Sequence, residues 1–324
     1  MTPLLEVHNL STYFFTREGV VKAVNRVSFS LLPGQTLGLV GESGAGKSVT
    51  ALSLLRLVPY PGRIVGGAVV YQGRNLLEVS EEEMRRLRGK EIAIVFQNPH
   101  AALNPVLPVG VQVEEVLQAH LRLPRREARR RVEDLLRNMG LSDPERVAAQ
   151  YPFQLSGGMA QRVMLAMALA LHPKVLIADE PTSNLDVTLQ ADILHRLHTL
   201  QQEQGVAILL ITHNMGVVAR VAHRVAVMYA GTIVEEGPVL SILRDPLHPY
   251  TWGLFQAIPR LDRPDRPLRP LRGTPPNLVD LPDQCPFLPR CPKATVVCRT
   301  NPSPPLQPVD GDHWVACYNR IRHD

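Results

Sequence analysis

At 324 residues, 45% of them apolar types, the chain is long enough to bury a sizeable core, and its length suggests two domains. A net charge of +5 and a pI near 9.2 make it mildly basic, but its cations fall in helix-like and proline-rich stretches without interleaved aromatics, which argues against nucleic acid as a partner. The first residues do not read as a charged-then-apolar leader, and the longest apolar runs, such as MLAMALAL at 164–171, fall well short of the roughly 18 residues that a bilayer span needs. A cytosolic chain is expected, with any membrane role exercised through partners.

In chain order, LEVHNL, VSFSLL and TLGLV read as short strands separated by turn signals, including LLPGQ around Gly34. Further buried-strand runs are IAIVF (92–96), KVLIAD (174–179) and VAILLIT (206–212), each followed by a helix-compatible segment, which predicts parallel strands with crossover helices in an α/β domain. Between Gln97 and Leu155 the pattern turns to helices rich in Glu and Arg, such as VGVQVEEVLQAHLRL and RREARRRVEDLLRNMG, predicting an inserted helical subdomain over about 98–170. The basic stretch 125–137 reads as a solvated helix face laced with Glu–Arg pairs. The first domain is assigned to 1–257. Beyond it, at 258–324, the composition changes: 14 of the 29 prolines lie between Pro259 and Pro308, and all four cysteines are here. So much proline forbids long helices or a central sheet in this extension.

Three stretches carry chemistry. GESGAGKS (41–48) fits G-x-x-x-x-G-K-[ST] between a strand and a helix-like segment. There the backbone N–H groups of Gly44, Ala45, Gly46 and Lys47 converge on phosphate oxygens, Gly41 and Ser43 complete the turn with Val49 following, the Lys47 ammonium meets the β- and γ-phosphates, and the Ser48 hydroxyl ligates Mg²⁺. A nucleotide is the inference. KVLIADEPTSNLD (174–186) brings a buried strand up to Asp179, whose carboxylate suits an Mg²⁺-bound phosphate, with Glu180 next to it to polarise an attacking water. LSGGMAQRVMLAMALAL (155–171) sets Ser156, Gly157 and Gly158 at a helix N-terminus, a second anion-binding arrangement. Two phosphate sites of different design on one chain suit a head-to-tail dimer that sandwiches ATP between loop 41–48 of one subunit and residues 156–158 of the other.

Taken in this order, the motifs resemble those of the ATP-binding-cassette (ABC) ATPases, and the resemblance runs from about residue 4 to the C-terminus. It implies a P-loop ATPase fold with a RecA-like core, an antiparallel β subdomain and an inserted helical subdomain. It also assigns Gln97 in IVFQNP to sensing of the γ-phosphate and Mg²⁺, the SNLD segment ending at Asp186 to nucleotide binding, and His213 in ITHN to the transition state. An aromatic on the first strand would stack on adenine: Phe14, with Tyr13 as the alternative. Glu180, His213 and Gln97 form the catalytic set. Two positions depart from the common pattern, Ala160 where arginine is frequent and Asn214 where aspartate follows the histidine. Neither touches phosphate-binding atoms, so activity is expected to survive.

The tail, with HPYTWGLFQAIPRL (248–261) and the cysteine-containing segment after it, looks like the C-terminal extension of oligopeptide and dipeptide importer ATPases. That likeness implies a subunit on the cytoplasmic face of the membrane, paired with a second ABC ATPase beneath two transmembrane permeases and fed by an extracytoplasmic peptide-binding protein. Relatives of this kind also import nickel or sugars, and a soluble non-transport ABC ATPase is the remaining alternative. Cys285, Cys291, Cys298 and Cys317 form a C-x₅-C-x₆-C-x₁₈-C pattern. A cytosolic setting disfavours disulfides, and a core-poor segment gains from a cross-linking metal. Four thiolates suit Zn²⁺ or a [4Fe–4S] cluster equally on ligand count, and the family resemblance implies the cluster. Nothing in the sequence places these cysteines near the nucleotide site, so a structural role is expected for them.

Overall fold

The computed structural model describes residues 2–183, 185–257 and 271–321. It divides into two compact units: residues 1–32, 36–78 and 212–324 form the first, and 33–35 and 79–211 the second.

The first unit opens with β1 (Leu5–Thr16), β2 (Gly19–Leu31) and β3 (Thr36–Val40), then α1 (Lys47–Leu54), β4 (Gly62–Tyr71) and β5 (Arg74–Asn75). Strands β2, β1, β4 and β5 form an antiparallel sheet in that order. Strand β1 outruns the predicted LEVHNL and continues into a tight hairpin with β2, so that Thr16 pairs with Gly19. Strand β4 is not signalled by sequence: its Gly66 and Gly67 break the apolar run, and its first half is largely exposed, so cross-strand pairing, mostly with β1, defines it. Strand β3 is buried at all five positions, the mark of a parallel strand covered on both faces.

The second unit follows the predicted α/β and helical pattern. It contains α2 (Glu81–Leu87), β6 (Ile92–Val95), α3 (Pro99–Ala102), α4 (Val109–His120), α5 (Arg125–Asn138), α6 (Pro144–Ala149), α7 (Gly157–Leu169), β7 (Val175–Asp179), α8 (Val187–Gln204) and β8 (Ala207–Thr212). Strands β6, β7 and β8 pair in parallel in that order. Helix α5 buries Ala128, Val132 and Leu136, spaced i, i+4 and i+8 on one stripe, and turns its arginines outward, where Arg131 pairs with Glu127 at 2.8 Å. The basic stretch is thus a solvated helix face.

The chain returns to the first unit with α9 (Met215–Val221), β9 (Arg224–Tyr229), β10 (Thr232–Pro238), α10 (Val239–Arg244) and α11 (Pro249–Gln256), and ends with α12 (Val296–Thr300), β11 (Gln307–Asp310) and β12 (His313–Val315). Strand β9 lies parallel to β3, and β10, β12 and β11 add antiparallel beyond it. As the prolines require, the described tail holds only short elements, and Pro308 sits on the outermost strand, β11. The tail nevertheless shares the first unit's core: Phe287, fully buried, packs with Tyr229 and Tyr250 in the cluster that also holds Val40 and Val227. It also lies along β2, where Val279 bridges Val21 and Lys22 Nζ donates to the Leu281 carbonyl at 3.1 Å. No helix among the described residues is long and apolar enough to cross a membrane.

Candidate active site

In the first unit, strand β3 delivers the chain to Gly41, and the loop closes at Gly46, whose φ of +103° places it in the left-handed region directly before α1. A Cβ at Gly46 would stand 2.1 Å from the Ala23 carbonyl oxygen, so no other residue fits there. No side chain caps α1 and no acidic residue occupies its first turn, so the positive end of its dipole is not countered by a side chain of its own turn. The Ala45 carbonyl accepts from Gly231 N, tying the loop to the β9–β10 turn. Lys47 is 7% exposed and its Nζ donates to the carbonyls of Gly41 (2.8 Å) and Glu42 (3.0 Å), folded back across its own loop, while Ser48 stands exposed. His213 is exposed after β8. Asn214 caps α9 by accepting from Gly216 N at 2.9 Å, so its amide oxygen does what an aspartate would do at this position. Phe14 is partly buried, its ring against Gly62 of β4, whereas the Tyr13 hydroxyl is committed to Asn25 Oδ1 at 3.0 Å.

Sequence reasoning misses what holds this loop. Glu42, its second residue, donates its backbone N–H to the Tyr250 hydroxyl at 2.8 Å, and its carboxylate accepts from Arg290 Nη1 (2.8 Å) and Nη2 (3.1 Å). Tyr250 belongs to the HPY run. There Pro249 starts α11, and His248 caps the helix by accepting at Nδ1 from Tyr250 N. Burial pulls the His248 pKa down to about 3, which keeps the imidazole neutral and Nδ1 free to accept. The buried Glu235 carboxylate fixes the same corner, accepting from Leu247 N and His248 N and bonding His313 Nε2 of β12. The one signal that could have pointed here is Glu42 itself, a carboxylate inside an anion-binding loop, which a nearby cation would stabilise. The tail, unconnected to the nucleotide loop by sequence, supplies that cation.

In the second unit, Asp179 ends β7 and is only 7% exposed. Glu180 follows with φ +48°, a left-handed conformation uncommon for a residue with a side chain, held by its N–H donating to the Ile211 carbonyl at 2.9 Å. Gln97 is exposed, and its carbonyl accepts from Ser183 Oγ at 3.3 Å, which links that segment to the residues preceding Asp186. Asn184 of the SNLD run lies outside the described residues, and Asp186 caps α8 through Leu189 N. Ser156 caps α7 by accepting from Met159 N. Gly157 has open space around it, whereas a Cβ on Gly158 would stand 2.7 Å from Leu189 Cδ1, so that glycine lets α7 and α8 approach. Ala160, the departure from the common pattern, is fully buried on α7.

The four cysteines are free thiols and all line one cavity, together with His248, Leu288 and Lys293. Burial and the neighbouring thiols push Cys285 up to about 11 and Cys317 up to about 12, so both are protonated near neutrality. Among the described residues no group of three or more His, Cys, Asp or Glu side chains is gathered into a metal-holding cluster. The expected ligands thus face one cavity without forming a ready coordination sphere.

Two family models match the chain: the ABC transporter model over residues 24–183, and the model of the oligopeptide/dipeptide transporter C-terminal region over 234–298. The dipeptide transport ATP-binding protein DppD of Bacillus subtilis (strain 168) is 46% identical over 320 residues, covering 98% of this chain and 95% of the relative. The chain belongs to the ABC transporter family of ATP-binding proteins. The oligopeptide transport ATP-binding protein OppD of Salmonella typhimurium, at 45% identity with 98% and 94% of the two chains covered, agrees. Among solved structures, the dimeric ABC cassette MJ0796 bound to ADP and Pi superposes with a TM-score of 0.66 at 27% identity over 72% of this chain and 98% of that one. The chain is therefore an ABC ATPase with the fold that its motifs imply. The C-terminal match takes in the HPY run, Arg290 and three of the four cysteines, while Cys317 lies beyond it.

Proposed function

We propose that this ABC ATPase hydrolyses ATP to drive import of di- or oligopeptides. It would do so paired with a second ATPase subunit beneath two transmembrane permeases at the cytoplasmic face of the membrane, with an extracytoplasmic binding protein delivering the peptide. The observation that carries the reading is one chain bearing both the complete ABC motif set and the oligopeptide/dipeptide transporter C-terminal region, at close to half identity with DppD and OppD over nearly full length.

In this reading the α1 N-terminus with Gly44, Ala45 and Gly46 cradles the phosphates, and the buried Lys47 ammonium exchanges its two carbonyl partners for phosphate oxygens. Ser48 and Gln97 would hold Mg²⁺, which supplies charge neutralisation at the β- and γ-phosphates when bound, with the strand-end carboxylate of Asp179 serving the Mg²⁺-bound phosphate; the exposed hydroxyl of Ser48 suits a hard cation. Glu180 orients and deprotonates the attacking water, His213 steadies the developing charge, and Phe14 supports the adenine. Ser156, Gly157, Gly158 and Asp186 serve the partner's nucleotide in a head-to-tail dimer, and dimeric MJ0796 with ADP and Pi is consistent with that arrangement. Completing the site only on closure converts binding into a mechanical stroke.

The cysteines enter the same reading as ligands of a [4Fe–4S] cluster. Four thiols on one cavity suit it as a donor set, and a bound metal would supply the positive charge that burial otherwise denies their thiolates. Iron and sulfide in the anaerobically purified chain, lost in Cys291→Ser, are expected; stoichiometric zinc would replace the cluster with a zinc site, and neither metal would remove both.

The deciding test of transport is ATPase activity of the membrane-purified complex in lipid with binding protein present. Stimulation by di- or oligopeptides is expected. Stimulation by nickel or a sugar instead would keep the machine and change its cargo, and a chain that fractionates away from membranes would overturn the importer reading.

A further inference from the structure

We propose that Arg290, in the cysteine-containing tail, is a positioning residue for the phosphate loop, neutralising and fixing Glu42 so that the loop accepts nucleotide phosphates. The inference rests on the assignment of residues 41–48 as the phosphate cradle.

The contact is built, not incidental. The Arg290 side chain is 6% exposed, and its donors are used in an ordered way: Nε to the Arg272 carbonyl at 2.9 Å, Nη1 to Glu42 Oε2 and the Tyr229 hydroxyl, and Nη2 to Glu42 Oε1. Its guanidinium carbon also lies 5.8 Å from the ring centroids of Tyr229 and Phe287. A two-pronged arginine–carboxylate pair sets orientation as well as charge. Every polar group of Glu42 is engaged: its N–H on Tyr250, its carboxylate on Arg290, and its carbonyl on Lys47 Nζ and Ala45 N. The first turn of the loop is therefore held from outside by two residues that are 208 and 248 positions away.

Electrostatics gives the contact its consequence. A nucleotide brings several negative charges to a loop that already carries a carboxylate. Paired with Arg290, that carboxylate is neutral to the phosphates and leaves the Lys47 ammonium to them. Unpaired, it repels the phosphates and competes for Lys47. Arg290 closes the 3₁₀ turn 288–290, with Cys285 just before that turn and Cys291 next to Arg290, and Phe287 between them packs edge-on to Tyr229 at 5.2 Å. The cysteine-lined segment and the cation on the nucleotide loop are thus one structural piece, which gives the tail a role at the site that its sequence does not announce.

The test is binding of a non-hydrolysable ATP analogue with Mg²⁺ to the full chain, by calorimetry, with thermal melting alongside. Arg290→Met is expected to weaken binding about tenfold or more, the effect of leaving a carboxylate uncompensated beside the phosphates. Arg290→Lys should fall between it and the wild type. The decisive arm is Arg290→Met with Glu42→Gln, which removes the stranded charge and should recover most of the affinity; in the assembled ATPase the single variant should raise KM for ATP with kcat little changed. Wild-type affinity in Arg290→Met, or no recovery in the double variant, overturns the proposal. If Arg290→Met does not fold, Arg290→Lys decides: undiminished affinity there overturns it equally. Lys47→Ala separates the two layers, because wild-type binding in that variant would remove the phosphate-loop assignment itself, whatever Arg290 does.

Discussion

The two units hold their candidate catalytic residues by different means. In the second unit two of the supports are local, Ser156 capping its own helix through Met159 and Asp186 capping through Leu189, while Glu180 hangs from Ile211 on the neighbouring strand. In the first unit the phosphate loop has a local glycine geometry but a distant frame, in which Tyr250, Arg290 and Phe287 converge from the HPY helix and the tail. A motif that is self-supporting can be read from a window of a few residues. The phosphate loop can be read that way too, but the partner 248 positions away that fixes its second residue cannot.

Substitutions that respect this difference sharpen it. The largest expected effect is on chemistry in the second unit: Glu180→Gln should lower ATP turnover by about 100-fold or more while nucleotide binding persists, the loss typical of a missing general base. Turnover and equilibrium binding measured on the same preparation check this, and undiminished turnover would end the assignment. Phe287→Ala tests the distant frame. Removing a fully buried ring that touches Tyr229, Tyr250 and His248 should cost about 3–5 kcal/mol in chemical denaturation. Because the loop hangs on the same cluster, ATP affinity should fall with it. Stability lost without affinity would show that the frame is dispensable to the loop. Ser156→Ala, in contrast, should cost about 1 kcal/mol, the worth of one helix cap, and leave nucleotide binding by the isolated subunit untouched. The smallest effect is expected at Asn214→Asp. The cap acceptor is kept, and the added charge at a helix N-terminus should shift stability by no more than about 0.3–1 kcal/mol, upward, as read by thermal melting.

Much of the fold was legible because its signals are short-range. The buried runs at 36–40, 92–95, 175–179 and 207–212 became parallel strands, and the stripe of Ala128, Val132 and Leu136 made α5 amphipathic as its spacing requires. Strand β4 was hidden by its glycines and exposed first half, and β9 and β10, which carry the loop's anchor at Gly231, were missed although β9 is nearly all apolar. At the site, Gly46 closes the loop, Lys47 folds onto the Gly41 and Glu42 carbonyls, Asp179 ends β7, and Ser156 and Asp186 cap α7 and α8, capping roles that their motifs did not announce. Glu180's positive φ was invisible in a one-dimensional pattern because the neighbouring strand imposes it.

By itself, then, the sequence determined the chemistry on offer: a glycine-lined cradle with a lysine, a strand-end carboxylate with a second beside it, a serine and two glycines at a helix start, and four thiols in a proline-rich tail. Each depends on residue types at fixed local spacing, which the chain carries wherever it goes. Only the tertiary structure decided that the tail belongs to the unit of the phosphate loop, that His248 stays neutral to cap the helix bearing Tyr250, and that Arg290 meets Glu42. These are pairings between buried or partly buried polar groups far apart in the chain. Such groups find partners only when packing around Phe287 and Tyr229 excludes water and leaves them no other, and that exclusion is a property of the folded core rather than of any stretch of sequence.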